Sequence, residues 1–261
     1  MALRVDAQYE DREQVKMRTP QSIVLIAVAA AGLQSMASAD TDVPVLAPGL
    51  YTRTLERDGK PTLGYTIVVP PGYTRATPVP LVLALHFGVQ GGPSLNVGRD
   101  LVRALVGPAF GDLGAVVVAP DVLGGGPWST PANDEAVLAL LDSVARAYNV
   151  DARRVVVTGY SMGGTGAWHF AGKYPDRFAA LVPVAGRPPA ASSGWRVPVF
   201  AVHSRRDQVA PIDATEKRVA ELKQAGTKAE LVALDAPTHY EVSAHADGLR
   251  RAIPWLRQLW K

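Results

Sequence analysis

The stretch "VVVTGYSMGGTGAWHFAGKYPDRF", Val155 to Phe178, contains the turn that decides the fold. A β-branched run meets Gly159, a lone serine follows, and a helical pattern runs from Gly163 to Lys173. Gly159-Tyr160-Ser161-Met162-Gly163 fits G-x-S-x-G, an elbow where a strand turns sharply into a helix. The glycines leave room for neighbouring backbone, and the tight turn lifts the serine hydroxyl into a cleft. The helix start adds backbone N–H groups and a positive dipole end where negative charge would develop. The five-residue pattern alone is weak; its place after a buried strand and before a helix gives it weight. The bland alternative is a packing turn with an idle serine. A phosphate-binding loop fits poorly, because Gly164-Thr165-Gly166 lacks the lysine it requires.

Outward from this turn, Val79 to Phe87, Gly114 to Pro120, Arg154 to Gly159, Phe178 to Gly186, Val197 to Ser204 and Ala229 to Pro237 are near-continuous apolar runs of strand length. Such runs read as strands buried on both faces of a parallel sheet. Thr52 to Arg57 and Thr62 to Val69 flank Asp58-Gly59, a hairpin signal. Helical patterns cover Asn133 to Tyr148, Gly163 to Lys173, Ile212 to Ala225 and Tyr240 to Trp260. The alternation predicts an α/β fold with a doubly wound, mostly parallel sheet of about eight strands and flanking helices. Its ligand site lies at the C-terminal ends of the strands, where His86, Ser161, Ser204, Asp207 and His239 all fall.

A serine hydroxyl is a weak nucleophile and needs a base. Of the five histidines, His239 sits in the loop after the last predicted strand, with His245 next in preference. His169 falls in the helix after the elbow, and His203 reads as structural. On such an elbow the order along the chain is serine, acid, histidine. Asp207 lies in a loop between Ser161 and His239 and is the candidate acid; Asp213 and Asp235 are the alternatives. Met162 supplies one backbone N–H for an oxyanion, and the loop "HFGVQGG" supplies the other, from Gly88 or Phe87 with Gly88 favoured. Trp128, Phe87 and Trp195 are candidate cleft residues, each tryptophan having a core-packing alternative.

The chain has 261 residues, 48% hydrophobic and 20% charged, with net charge +3 and no cysteine. That length suits one large α/β domain. The mild charge gives nucleic-acid binding little support. Without cysteine there is no disulfide, thiolate metal site or lipoprotein anchor. Lys16 and Arg18, the apolar run Ile23 to Leu33 and Ala37-Ser38-Ala39 have the order of a secretory signal peptide. The expectation is a leader over 1–39, with Met17 the more usual start, and a single domain over 40–261. The protein is expected to be exported, to the periplasm or outside the cell, with no membrane association after cleavage. An uncleaved anchor is the alternative.

"RVVVTGYSMGGTGAWHFAGKYPDRFAALVPVAG", "VPVFAVHSRRDQVAP" and "THYE" resemble the α/β-hydrolase superfamily. More narrowly they are similar to bacterial secreted esterases grouped with feruloyl esterases, polyhydroxyalkanoate depolymerases and "predicted peptidases". The resemblance covers about Tyr51 to Trp260. It implies a serine carboxylester hydrolase with the triad Ser161, Asp207 and His239, acting through an acyl-enzyme. It implies no cofactor, and no metal site is expected. Two positions depart from the pattern: Phe87 follows His86 where glycine is usual, and Ser204 follows His203 where glycine is usual. The short segment after "PVAG" leaves no room for a sizeable cap domain. An open cleft suits bulky, aromatic, carbohydrate-linked or polymeric esters. A prolyl-oligopeptidase-like serine peptidase is one rival, and a catalytically silent binding module with this fold is another.

Overall fold

Apolar runs that are buried on both faces leave a strand no solvent side, so the central strands must be sandwiched between helices. A computed structural model describes residues 42–89, 95–190 and 194–261. The leader, its cleavage site and the expected start at Asp40 lie outside the described residues, as do Gly91 and Gly92.

The strands are β1 (Gly49–Arg57), β2 (Lys60–Val69), β3 (Val79–Leu85), β4 (Val116–Pro120), β5 (Val150–Tyr160), β6 (Ala180–Val184), β7 (Val199–Arg206) and β8 (Ala229–Thr238). They form one eight-stranded sheet in the order β1-β2-β4-β3-β5-β6-β7-β8. β1 and β2 are the expected hairpin, with Gly59 at φ 63° in its turn. β2 also runs antiparallel to β4, whereas β4, β3, β5, β6, β7 and β8 are mutually parallel.

The helices are α1 (Val97–Leu101), α2 (Gly107–Phe110), α3 (Pro131–Ala147), α4 (Met162–Lys173), α5 (Asp213–Gln224), α6 (Ala246–Arg250) and α7 (Ala252–Leu259). One sheet face packs Leu81, Leu83 and Val157 against Leu140, Trp168, Phe170 and Leu222 from α3, α4 and α5. The other packs Val82, Val156 and Val202 against Leu101, Phe110, Leu249 and Leu256 from α1, α2, α6 and α7. Each such fully buried side chain contributes about 1.5–3 kcal/mol relative to exposure. Two cores of this kind hold the sheet as a rigid floor. At the start of α3, Thr130 Oγ1 accepts from Asn133 N at 3.2 Å and Pro131 takes the first helical position.

Two segments differ from expectation. Residues 97–113 are helical although no helical pattern stood out there. Gly98, Gly107, Pro108 and Gly111 interrupt the sequence signal. A Cβ on Gly98 would come within 2.4 Å of Ala119 O, so glycine lets α1 lie directly on β4. The expected helix 240–260 is instead a short turn (Val242–His245) followed by α6 and α7. Glu241 accepts from Thr238 N and Oγ1, both at 2.7 Å, which holds the chain in a loop before the helix begins.

Candidate active site

The parallel strands all end on one edge of the sheet, and the candidate site residues stand there. His86, Ser161, Asp207 and His239 are each the residue immediately after the last residue of β3, β5, β7 and β8. Strand pairing thus brings all four to one edge.

Ser161 sits at φ 56°, ψ −115°, a strained conformation for a residue with a side chain. Surrounding backbone leaves no relaxed choice. Ser161 N donates to Val184 O at 3.0 Å, and Ser161 O accepts from Thr165 N at 2.9 Å. A Cβ on Gly163 would lie 1.8 Å from Leu85 O, and one on Gly159 would lie 2.3 Å from Gly163 O. Only glycine fits at both positions, which accounts for the spacing read in the sequence.

The turn delivers Ser161 Oγ to within 2.7 Å of His239 Nε2. His239 Nδ1 lies 2.7 Å from Asp207 Oδ2. A carboxylate only accepts, so Nδ1 carries the proton and Nε2 is free to accept from the serine hydroxyl. Asp207 Oδ1 accepts from Val209 N at 2.9 Å and Ala210 N at 2.7 Å. Burial works against the Asp207 charge, but the His239 imidazole and these two N–H groups outweigh it. They hold the carboxyl below the usual carboxylate range. His239 is 6% exposed, so the relay is sheltered while Ser161, only half-buried, faces the cleft.

His203 is structural, as expected, and it also borders Asp207. Its Nε2 donates to Ala210 O at 2.7 Å and lies 3.3 Å from Asp207 Oδ2, while Thr215 Oγ1 donates to its Nδ1 at 2.9 Å. Ser204 Oγ bonds Pro237 O and accepts from Arg206 N at 3.0 Å, tying the end of β7 to the end of β8. The serine that departs from the usual glycine therefore links the acid loop to the histidine loop. Asp235 pairs with Arg205 at 3.4 Å in solvent, and Asp213 is exposed at the start of α5. His245 is buried beneath the site, its Nδ1 donating to Glu241 O at 3.0 Å. His169 Nε2 bonds Asp134 Oδ1 at 2.7 Å and joins α4 to α3.

Met162 opens α4, where the first N–H groups have no carbonyl partner within the helix. Gly88 stands across from it: a Cβ on Gly88 would meet Met162 Sδ at 3.6 Å. Phe87 is half-buried against the second core. His86, given no role in the sequence reading, anchors this loop. Its Nδ1 donates to Phe87 O at 2.6 Å and its Nε2 accepts from Val122 N at 3.0 Å.

Trp128 is not a cleft residue. It is 1% exposed, its Nε1 donates to His86 O at 3.0 Å, and its Cβ fills the space above Gly166. The indole N–H takes the partner that burial demands and braces the loop from beneath. Trp195 likewise packs, on Trp168 at 5.2 Å and beside Gly172 at the far end of α4. The exposed aromatic at the site is Tyr240, 75% exposed and edge-on to His239 with ring centroids 5.8 Å apart. Its signal in the sequence was only its place after the candidate base.

The alpha/beta hydrolase fold family matches residues 81–215, a span from β3 to α5 that includes the elbow and Asp207. The chain belongs to that family. Over 135 residues, 50% of the chain, this hydrolase-fold protein is 31% identical to the bifunctional acetylxylan esterase/xylanase XynS20E of Neocallimastix patriciarum. The match spans 19% of that longer protein. Among solved structures, a thermostable esterase aligns with a TM-score of 0.68 at 22% identity, over 80% of this chain and 62% of the other. A ferulic acid esterase aligns at 0.64 and 17% identity, over 82% and 98%. At such identities the two structures speak for the shared fold.

The buried histidines give this hydrolase fold a pH signature. Burial is the main cause that lowers the pKa of His86, His203 and His245. The native state keeps them neutral, whereas in the unfolded chain they take up protons near pH 6.5. The unfolded state therefore binds more protons as the pH falls below about 6.5, and stability drains from there toward the lower folded values. The lowered carboxyl of Asp207 adds a further loss only below about pH 3.9. Melting temperatures should be level between about pH 7 and 8 and fall by about pH 5. A profile that stays flat from 8 to about 5 would rule this out.

Proposed function

We propose that the protein is a carboxylic ester hydrolase working through an acyl-enzyme on Ser161. The observation that carries the reading is the chain Ser161 Oγ, His239 and Asp207, with both links at 2.7 Å. His239 Nε2 takes the hydroxyl proton as Ser161 Oγ adds to the ester carbonyl carbon. The negative charge that forms on the carbonyl oxygen is met by the N–H groups of Met162 and Gly88. The imidazolium, held by Asp207, returns its proton to the departing alkoxide, and the alcohol leaves. Water then adds to the acyl-serine, giving its proton to His239, and the acid is released with Ser161 restored.

The substrate class we propose is bulky, aromatic, carbohydrate-linked or polymeric esters. Only residues 185–198 separate β6 from β7, too few for a cap domain over the cleft. Tyr240 offers an exposed ring at the rim. The names of an acetylxylan esterase and a ferulic acid esterase among the similar proteins point the same way. We also propose export, on the order of basic, apolar and small residues over 16–39.

A fluorophosphonate probe should label the protein, and peptide mapping should place the adduct on Ser161. A panel of p-nitrophenyl, feruloyl, acetyl-sugar, polyester and peptide-amide substrates should show ester turnover ahead of amide turnover. Labelling without any ester cleavage, or a preference for the amides, would sink the reading.

A further inference from the structure

Tyr160 occupies the variable position of the elbow, one residue before Ser161, yet its side chain belongs to the histidine loop. It leaves β5 on the face opposite α4 and is buried in the core formed with Val182, Val202 and Leu249. At the end of that path its hydroxyl donates to His239 O at 2.6 Å. The ring lies under the imidazole of His239, centroids 5.7 Å apart, and meets the ring of His245 edge-on at 5.1 Å. The proton of the phenol goes to the carbonyl, because a carbonyl only accepts. His245 Nδ1, which must donate to Glu241 O at 3.0 Å, lies 3.5 Å from the phenol oxygen on its other side. Burial, helped by Asp207 and Glu241, pushes the phenol pKa well above its usual value, so the group stays a donor at every pH where an ester hydrolase works.

We infer that Tyr160 is a positioning residue, whose hydroxyl fixes the main chain of His239 so that Nε2 meets Ser161 Oγ. The inference rests on the acyl-enzyme reading and adds to it a covalent economy. Serine and tyrosine are neighbours in the chain, so the turn that strains Ser161 also sets the anchor of its base. The His239 side chain has one fixed point at Asp207. The bond to its carbonyl gives its backbone another, and two points define where the ring can lie. A misplacement of about 1 Å in such a pair can cost about 100-fold in rate.

The test begins with wild type, measuring p-nitrophenyl ester hydrolysis and fluorophosphonate labelling. If wild type shows neither, the acyl-enzyme reading itself has failed. With wild type active, Tyr160→Phe keeps every ring contact and removes one oxygen. We expect kcat to fall about 10- to 100-fold with KM within about threefold, because the loss lies in alignment and not in binding. The deficit should be the same from about pH 6 to 9, since the phenol does not titrate there. In a His239→Ala background the same change should cost less than about twofold, as the base it places is gone. A purely packing role would lower the melting temperature and leave kcat alone. Unchanged kcat in Tyr160→Phe, or an equal loss in the His239→Ala background, overturns the inference. If Tyr160→Phe does not fold, His245→Phe decides: it removes the contact that steadies the phenol and should lower kcat about 2- to 10-fold at unchanged KM. No change in kcat there overturns the inference as well.

Discussion

Ser161→Ala should lower ester turnover by about 10⁶ while the protein keeps its fold. The substitution removes one oxygen from a half-buried position and leaves the Cβ in place. The strain at φ 56° is the same for alanine, and the backbone bonds to Val184 O and from Thr165 N do not involve the hydroxyl. The melting temperature should therefore move little. What is lost is the atom 2.7 Å from His239 Nε2, the proposed nucleophile. Residual hydrolysis would come from water adding to the ester carbonyl while the oxyanion donors meet the charge on its oxygen. Purified Ser161→Ala is assayed with p-nitrophenyl butyrate, and loss of fluorophosphonate labelling is read in parallel. Turnover within about 100-fold of wild type would mean the nucleophile lies elsewhere.

Asp207→Asn should lower kcat by about 10³ to 10⁴, through the tautomer of His239. The amide can be placed in two ways, and neither suits the site. With its NH2 in the place of Oδ2 it donates to His239 Nδ1, so the ring proton moves to Nε2, facing Ser161. That same NH2 then opposes the His203 Nε2–H, now 3.3 Å from the carboxylate. With the amide turned over, its NH2 faces the N–H groups of Val209 and Ala210, which now donate at 2.9 and 2.7 Å. The variant should be less stable as well as slow. His239→Ala should do at least as much harm to turnover, and the double variant should be little worse than His239→Ala alone, since the two act in one step. Penalties that multiply would mean the residues act independently. Near-normal activity in Asp207→Asn would exclude it as the acid, although Asp235 and Asp213 stand exposed and apart from His239.

Much of this was legible in the sequence because of a simple physical link. Buried parallel strands announce themselves as continuous apolar runs, and whatever follows each run must lie on one edge. That was enough to bring Ser161, Asp207 and His239 together from distant parts of the chain. The glycines at 159 and 163 were legible for the same reason: backbone crossing that closely leaves no other residue. The α1–α2 segment was not, because Gly98 serves close packing on β4, and a helix that also carries Gly107 and Gly111 does not look like one. Trp128 was misplaced because a loop tryptophan reads alike whether its indole faces the cleft or turns inward to a carbonyl. The roles of His86, Ser204 and Tyr160 each need a hydrogen bond between residues 30 or more positions apart. No local pattern encodes such a bond.

Ser161, Asp207 and His239, with the loop anchor His86, each stand directly after a strand, which divides the protein's labour in a way that suits change. The sheet edge and the first few residues beyond it hold the site, among them the N–H groups of Val209 and Ala210 on Asp207, and what lies farther out is free to specialise. New segments inserted in the connection between β6 and β7 would change the surroundings of the site while the strands kept Ser161 and its partners in place. This architecture is a socket with exchangeable mouths, so a lineage can acquire new esters by rewriting its rim while the floor stays as it is.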